Sequence, residues 1–263
     1  MTVVGDVLNY LQTLAPASMK MDWDNVGLLC GSRTAPVTQV LVALDPFEHV
    51  CAEAEEVGAQ LLVTHHPLIF TAPKTLTDET SLGRCVRRLC RAGISAVNAH
   101  TNLDCAPGGV NDVLAETLGL RDVSVICPEG LDDQGREWGL LRRGTVERQT
   151  LPEFLDHVRN ALNCPGLRYT DGGREVRNVA VGGGACAGEL GDAIRAGCDT
   201  FVTSDVKYNQ FWDAKEAGLN LIDAGHFYTE NPVVARLAEK LSREFPEIRV
   251  EISKTHRDCM KYY

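Results

Sequence analysis

The run Leu61-Leu62-Val63-Thr64-His65-His66-Pro67 puts two adjacent imidazoles at the end of a short apolar segment. Three apolar residues and a threonine predict a buried strand, and Pro67, lacking an N–H, stops its ladder. Adjacent residues leaving a strand point to opposite sides, so His65 and His66 can address two neighbouring ions, or one ion and a second group. A second apolar segment, Ile94 to Val97, leads to His100-Thr101-Asn102-Leu103-Asp104. A third, Leu221-Ile222-Asp223-Ala224-Gly225-His226, is followed by Glu230. His226 and Glu230, four residues apart, share one face of a helix. Imidazole and carboxylate are the ligand set of zinc, iron and manganese sites. His65, His66, Asp104, His226 and Glu230 are too many ligands for one open catalytic ion and suit two cations sharing a carboxylate.

Such residues need a scaffold that gathers strand ends. Val40 to Asp45 predicts a buried strand ending in an acid, Glu48 to Val57 a helix closed by Gly58, and the His65 strand follows. That β-α-β order belongs to a mostly parallel sheet, in which ligands collect at the carboxyl ends of strands. Residues 71–82 read as a polar loop and Arg84 to Arg91 as a helix capped by Gly93. Pro107-Gly108-Gly109 is a tight turn before a helix from Val110 to Leu118, ended by Gly119. Near the N-terminus, Val4, Leu8 and Leu11 predict an amphipathic helix ended near Pro16. Asp24-Asn25 predicts a turn, with Asp24 a further polar candidate for the site.

From Arg121 to Asn178 metal-type residues do not cluster, and the segment is assigned to scaffold or substrate contact. Trp138 to Thr145 predicts a strand. Thr150-Leu151-Pro152-Glu153 is a capping box opening a helix to about Leu162, and Asp171-Gly172-Gly173 a hairpin-like turn. Val179 to Gly184 is a strand running into a glycine-rich loop ahead of a helix from Ala187 to Ala196, where backbone amides can hold an anion.

An internal repeat accounts for the layout. Val57-Gly58-Ala59-Gln60-Leu61-Leu62-Val63-Thr64 matches Ala196-Gly197-Cys198-Asp199-Thr200-Phe201-Val202-Thr203. Ala92-Gly93-Ile94-Ser95-Ala96-Val97-Asn98-Ala99 matches Ala217-Gly218-Leu219-Asn220-Leu221-Ile222-Asp223-Ala224 in the same order, and Asp205 takes the place of His66. The fold class expected is α/β, with two similar domains of mostly parallel sheet and the metal site in the cleft between them. Residues 1–122 would carry His65, His66 and Asp104, and residues 123–263 His226 and Glu230.

Composition narrows the partners. The 263 residues, 44% hydrophobic, carry a formal net charge of −10, which argues against nucleic acid as a partner. The N-terminal residues have no basic stretch ahead of an apolar core, and no apolar run approaches the ~18 residues of a membrane span. The ten cysteines are scattered with no C-x-x-C, which predicts reduced thiols, several of them buried, in a cytoplasmic protein. Arg84, Arg87 and Arg88 read as a solvated helix face, and Cys105 as a packing residue.

Four stretches together resemble one family: Trp23-Asp24-Asn25-Val26-Gly27-Leu28-Leu29; Thr64-His65-His66-Pro67-Leu68-Ile69-Phe70; His100 to Asp104 with Gly108-Gly109-Val110-Asn111-Asp112; and Gly225-His226-Phe227-Tyr228-Thr229-Glu230. The chain is similar, from near residue 8 to about 241, to the GTP cyclohydrolase 1 type 2 homologs, the Nif-three-like dinuclear-metal-centre hexameric proteins, in their short form without an inserted domain. The resemblance implies two α/β domains, a ring-like homohexamer and a two-metal site inside the ring. Carried over, the metal ligands are His65, His66, Asp104, His226 and Glu230, with His100 a close neighbour that orients a ligand or moves a proton. Asn209 stands where the family often has histidine, and asparagine cannot shuttle a proton near neutral pH.

The expected function is a cyclohydrolase-like, metal-dependent hydrolase that acts through a metal-activated water on a small-molecule substrate the sequence does not name. Its cofactors would be two divalent ions per chain: zinc, iron or manganese. A non-catalytic metal carrier or regulator uses the same residues, and a cysteine nucleophile built from Cys105 and His100 is a third reading.

Overall fold

The computed structural model describes all 263 residues. They form two compact units, Met1–Leu103 with Val234–Cys259, and Asp104–Val233 with Met260–Tyr263. This division by contacts differs from one at residue 122. It assigns Asp104 to the unit of His226 and Glu230, and the C-terminal strand to the unit of His65.

The first unit opens with α1 (Val4–Leu14) and β1 (Gly27–Cys30), then β2 (Gln39–Ala43), α2 (Glu48–Glu56), β3 (Leu61–Thr64), α3 (Ser81–Ala92) and β4 (Ser95–Asn98). Its five-stranded sheet is completed by Arg249–Ile252, which pairs parallel with β2; β2, β3 and β4 are parallel and β1 is an antiparallel edge. Both α2 and α3 cover one face, where Val50, Ala54, Val86 and Leu89 pack on Leu41, Leu62 and Ala96. Outward arginines of α3 pair across to α2, Arg84 with Glu48 and Arg88 with Glu55, so the expected solvated face is ion-paired. The Thr80 hydroxyl caps α3, and Gly93 ends it at φ +69°.

The chain passes through α4 (Thr101–Cys105) into the second unit, with α5 (Val110–Thr117), β5 (Arg121–Ile126), a short ribbon of β6 (Gly130–Leu131) and β7 (Glu137–Trp138), β8 (Leu141–Gln149) and α6 (Leu151–Ala161). There follow β9 (Arg168–Thr170), β10 (Val176–Val181), α7 (Leu190–Arg195), β11 (Thr200–Thr203), α8 (Tyr208–Glu216), β12 (Asn220–Asp223) and α9 (His226–Glu230). Finally α10 (Pro232–Glu244) and β13 (Arg249–Ile252), the strand already met, carry the chain back to the first unit. Parallel pairing in the six-stranded second sheet is confined to β10, β11 and β12; β5, β8 and β9 run antiparallel to their neighbours. Asp171-Gly172-Gly173 turns the chain but makes no hairpin, because β9 pairs with β12 and β10 with β8 and β11. The capping box is formed, with Glu153 N donating to Thr150 Oγ1 and Thr150 N to Glu153.

The repeat is reproduced in register. β3 pairs with β4 from Leu61↔Ser95 to Thr64↔Asn98, and β11 with β12 from Thr200↔Asn220 to Thr203↔Asp223, at the positions matched by sequence. Gly58 and Gly197 (φ +74° and +77°), and Gly93 and Gly218 (both +69°), end the preceding helices in the same left-handed conformation. Each repeat also adds one antiparallel edge strand, β1 beside β4 and β9 beside β12.

Candidate metal centre

In the first unit, β3 delivers His65 and His66 at its carboxyl end and β4 delivers His100 two residues past its own. One ring nitrogen from each of the three lies within 4.8 Å of the other two. The ring centroids are 4.8–5.4 Å apart. All three Nδ1 atoms are engaged: His65 Nδ1 donates to the Ala99 carbonyl at 2.9 Å, His66 Nδ1 to Asp45 at 2.7 Å, and His100 Nδ1 to Asp24 at 2.8 Å. A carbonyl or carboxylate oxygen brings no proton, so the proton sits on Nδ1. The lone pair of each neutral imidazole, and with it any metal bond, then belongs to Nε2.

The carboxylates are ionised to suit. Burial alone would raise the Asp45 carboxyl, but hydrogen bonds from His256 and His66 outweigh it and hold the group well below the usual carboxylate range. Burial also pushes Asp24 upward, and bonds from His100 and Thr101 reverse that. Asp24 is a pivot rather than only a turn residue: it accepts from the Thr101 amide at 3.0 Å and Thr101 Oγ1 at 2.5 Å as well as from His100.

In the second unit, α9 places His226 Nε2 3.0 Å from Glu230 Oε2, the expected one-turn spacing. A carboxylate oxygen of Asp104 lies within 4.8 Å of one of Glu230. His226 Nδ1 donates to Asp205 at 2.7 Å, so the second repeat also supplies an orienting acid. Burial works against the His226 imidazolium, yet Asp205 and Glu230 together raise its pKa to about 11, so a cation bound here would displace a proton.

The glycine run after β10 makes room for these groups. The Gly183 amide donates to Asn111 Oδ1 at 2.7 Å and the Gly184 amide to Thr229 Oγ1 at 3.0 Å, so neither is offered to an anion as the sequence suggested. A Cβ on Gly184, whose φ is +63°, would overlap Glu230 Oε1, and one on Gly183 would crowd Glu230 Cγ at 3.3 Å.

Arg142, 1% exposed, holds the chain just after Asp104: its guanidinium donates to the carbonyls of Cys105 and Ala106 and to Asp112. Cys105 is fully buried, in keeping with a packing role, and burial pushes its thiol up to about 12, which favours the protonated form over a nucleophilic thiolate. All ten cysteines are free thiols. Asn209, near the start of α8, is exposed and hydrogen-bonds Asp213 at 3.4 Å.

Sequence reasoning missed Asp45 and Asp205 as orienting acids. Both were legible. The apolar strand next to that of His66 in sequence ends in Asp45, and the repeat matches Asp205 to His66.

A family description of DUF34/NIF3 (NGG1p interacting factor 3) matches residues 2–259. The chain belongs to the DUF34/NIF3 family. Among its DUF34/NIF3 relatives, a "GTP cyclohydrolase 1 type 2 homolog" of Clostridium perfringens is 35% identical over 98% of this chain and 99% of its own. One of Streptomyces coelicolor with the same name is 37% identical over 97% and 92%. The crystal structure of Staphylococcus aureus protein SA1388 superposes with a TM-score of 0.91 at 30% identity, covering 100% of this chain and 99% of that one. The donor chemistry of this DUF34/NIF3 chain fits transition metals: imidazoles with oriented Nε2 atoms in one unit, and two carboxylates and an imidazole in the other.

Proposed function

We propose that the protein is a metal-dependent hydrolase whose two divalent cations, zinc, iron or manganese, are held by His65, His66, Asp104, His226 and Glu230. One observation carries this reading: each imidazole of the set donates its Nδ1 proton to a carbonyl or carboxylate oxygen, as metal-ligating histidines do. Support for a shared centre comes from chain continuity. His100 immediately precedes the short helix α4 that carries Asp104, so one continuous stretch of chain holds both. Bound there, the cations would supply a nucleophilic water at neutral pH and polarise a substrate oxygen or ring nitrogen. His100, held through Nδ1 by Asp24, is the neighbour that orients a ligand or moves a proton.

The relatives' shared name puts purine nucleotides first among substrates to screen. The reading includes a homohexamer in the cytoplasm; no helix is long and apolar enough to cross a membrane. Metal analysis of the purified chain and of Glu230→Ala, beside hydrolysis of nucleotides, pterin precursors, esters and phosphoesters, tests it. The variant should lose at least one ion. Unchanged metal content would remove Glu230 from the ligand set, and metal without turnover of any of these would favour a carrier.

A further inference from the structure

Trp23 and Phe70 are large aromatic side chains left 62% and 56% exposed, and both stand beside the histidine set. Their ring centroids are 5.7 Å apart, and each lies 6.2 Å from His100 with its plane turned 71° and 74° from the imidazole. The three rings form a corner whose floor is the edge of a histidine already oriented by Asp24.

The exposure is not that of mobile loops. Asp24, next to Trp23, is 7% exposed and bound by His100 and Thr101. Asn25 Nδ2 donates to the Ile69 carbonyl at 2.6 Å, tying the Trp23 loop to the residue before Phe70. Asn98 Nδ2, at the end of β4, donates to the Asn25 carbonyl at 3.1 Å. Both rings are thus held to the strand that delivers His100. A fixed pair of exposed π faces suits a flat π system, which stacks on them without a matching set of hydrogen-bond donors.

We infer that Trp23 and Phe70 form the binding wall for a planar heteroaromatic ring of the substrate and hold that ring against His100. This deepens the hydrolase reading by assigning the residues that receive the substrate's ring, and it rests on that reading for what happens to the ring. Stacking on the two rings involves no cation, so capture is tested on the full chain both as purified and stripped of metal.

Equilibrium dialysis is run with guanosine, adenosine, uridine, neopterin and ribose 5-phosphate, and Trp23 fluorescence is followed in a Trp138→Phe/Trp212→Phe background. At least one ring compound should bind saturably and quench Trp23, while ribose 5-phosphate does neither. Phe70→Leu and Trp23→Leu, which keep apolar bulk without an aromatic face, should each weaken that binding by about ten-fold or more, with metal uptake unchanged. Circular dichroism confirms that each variant is folded. Binding unaffected by either change, or no binding of any ring, overturns the inference. So does a loss of self-association in Trp23→Ser without ring binding, which would make the corner a contact between copies. Ring binding by a protein that hydrolyses nothing would sink the hydrolase reading and leave the wall in place.

Discussion

Asp45 and His256 lie 211 residues apart in sequence and 2.9 Å apart in the fold. One carboxylate oxygen of Asp45 accepts from His256 Nε2 and the other from His66 Nδ1, so the C-terminal segment steadies the acid that orients a candidate ligand. His256 Nδ1 in turn meets His49 Nε2 at 3.4 Å. Asp45→Asn is therefore expected to weaken metal affinity by about 10- to 100-fold, the usual effect of losing an orienting partner. His256→Ala should move it in the same direction by less. Competition against a chromophoric chelator measures both.

Glu53 fastens that segment. It is 6% exposed and accepts from the Lys254 amide at 2.7 Å and Thr255 Oγ1 at 2.6 Å, and from the Ser253 hydroxyl. Burial would raise its carboxyl, but these bonds outweigh burial and lower it from its ordinary 4.5. A carboxyl whose folded pKa is depressed contributes stability that is complete above the unfolded pKa and is lost as pH falls through the folded one. Urea unfolding should show Glu53→Gln less stable by about 1–3 kcal/mol at pH 7, with the gap to wild type narrowing below pH 4.5.

Gly184→Ala should empty the second unit's ligand pair. The added methyl overlaps Glu230 Oε1, and the left-handed φ of +63° costs a non-glycine residue about 1–2 kcal/mol besides. Gly188→Ala, where a Cβ meets nothing within 4 Å, is the matched control. Elemental analysis and thermal melts should separate the two variants, with metal lost only from the first.

Arg142→Met should cost about 3 kcal/mol or more, because Asp112 and the carbonyls of Cys105 and Ala106 lose a buried donor. Lysine will not rescue it, since one ammonium cannot reproduce a guanidinium fork. Metal binding should fall as well, because the segment held lies directly after Asp104. Urea titration and metal content read the two effects.

Most of the candidate site was legible because imidazoles and carboxylates at the ends of apolar strands stand out. The His226–Glu230 pair followed from helical spacing alone. What stayed hidden depended on non-local pairing. The Asp171-Gly172-Gly173 turn has the local chemistry of a hairpin, yet β9 is drawn to the open edge of β12. The triple glycine reads like an anion loop, and only the positions of Asn111, Thr229 and Glu230 reveal that its amides are spoken for and its missing side chains are the point. Arg249 to Ile252 carries no mark in sequence of a partner strand some two hundred residues earlier.

That last pairing sets the order in which the molecule can be made. A ribosome synthesises residues 104–233 as one unbroken stretch, so the second unit has nearly all its parts while the C-terminal strand does not yet exist. Until that strand emerges, β2 shows a bare edge to whatever other nascent chain is near. The first unit, translated earliest, is thus the last to close, and a chain cut short before Arg249 would display an adhesive border rather than a finished sheet.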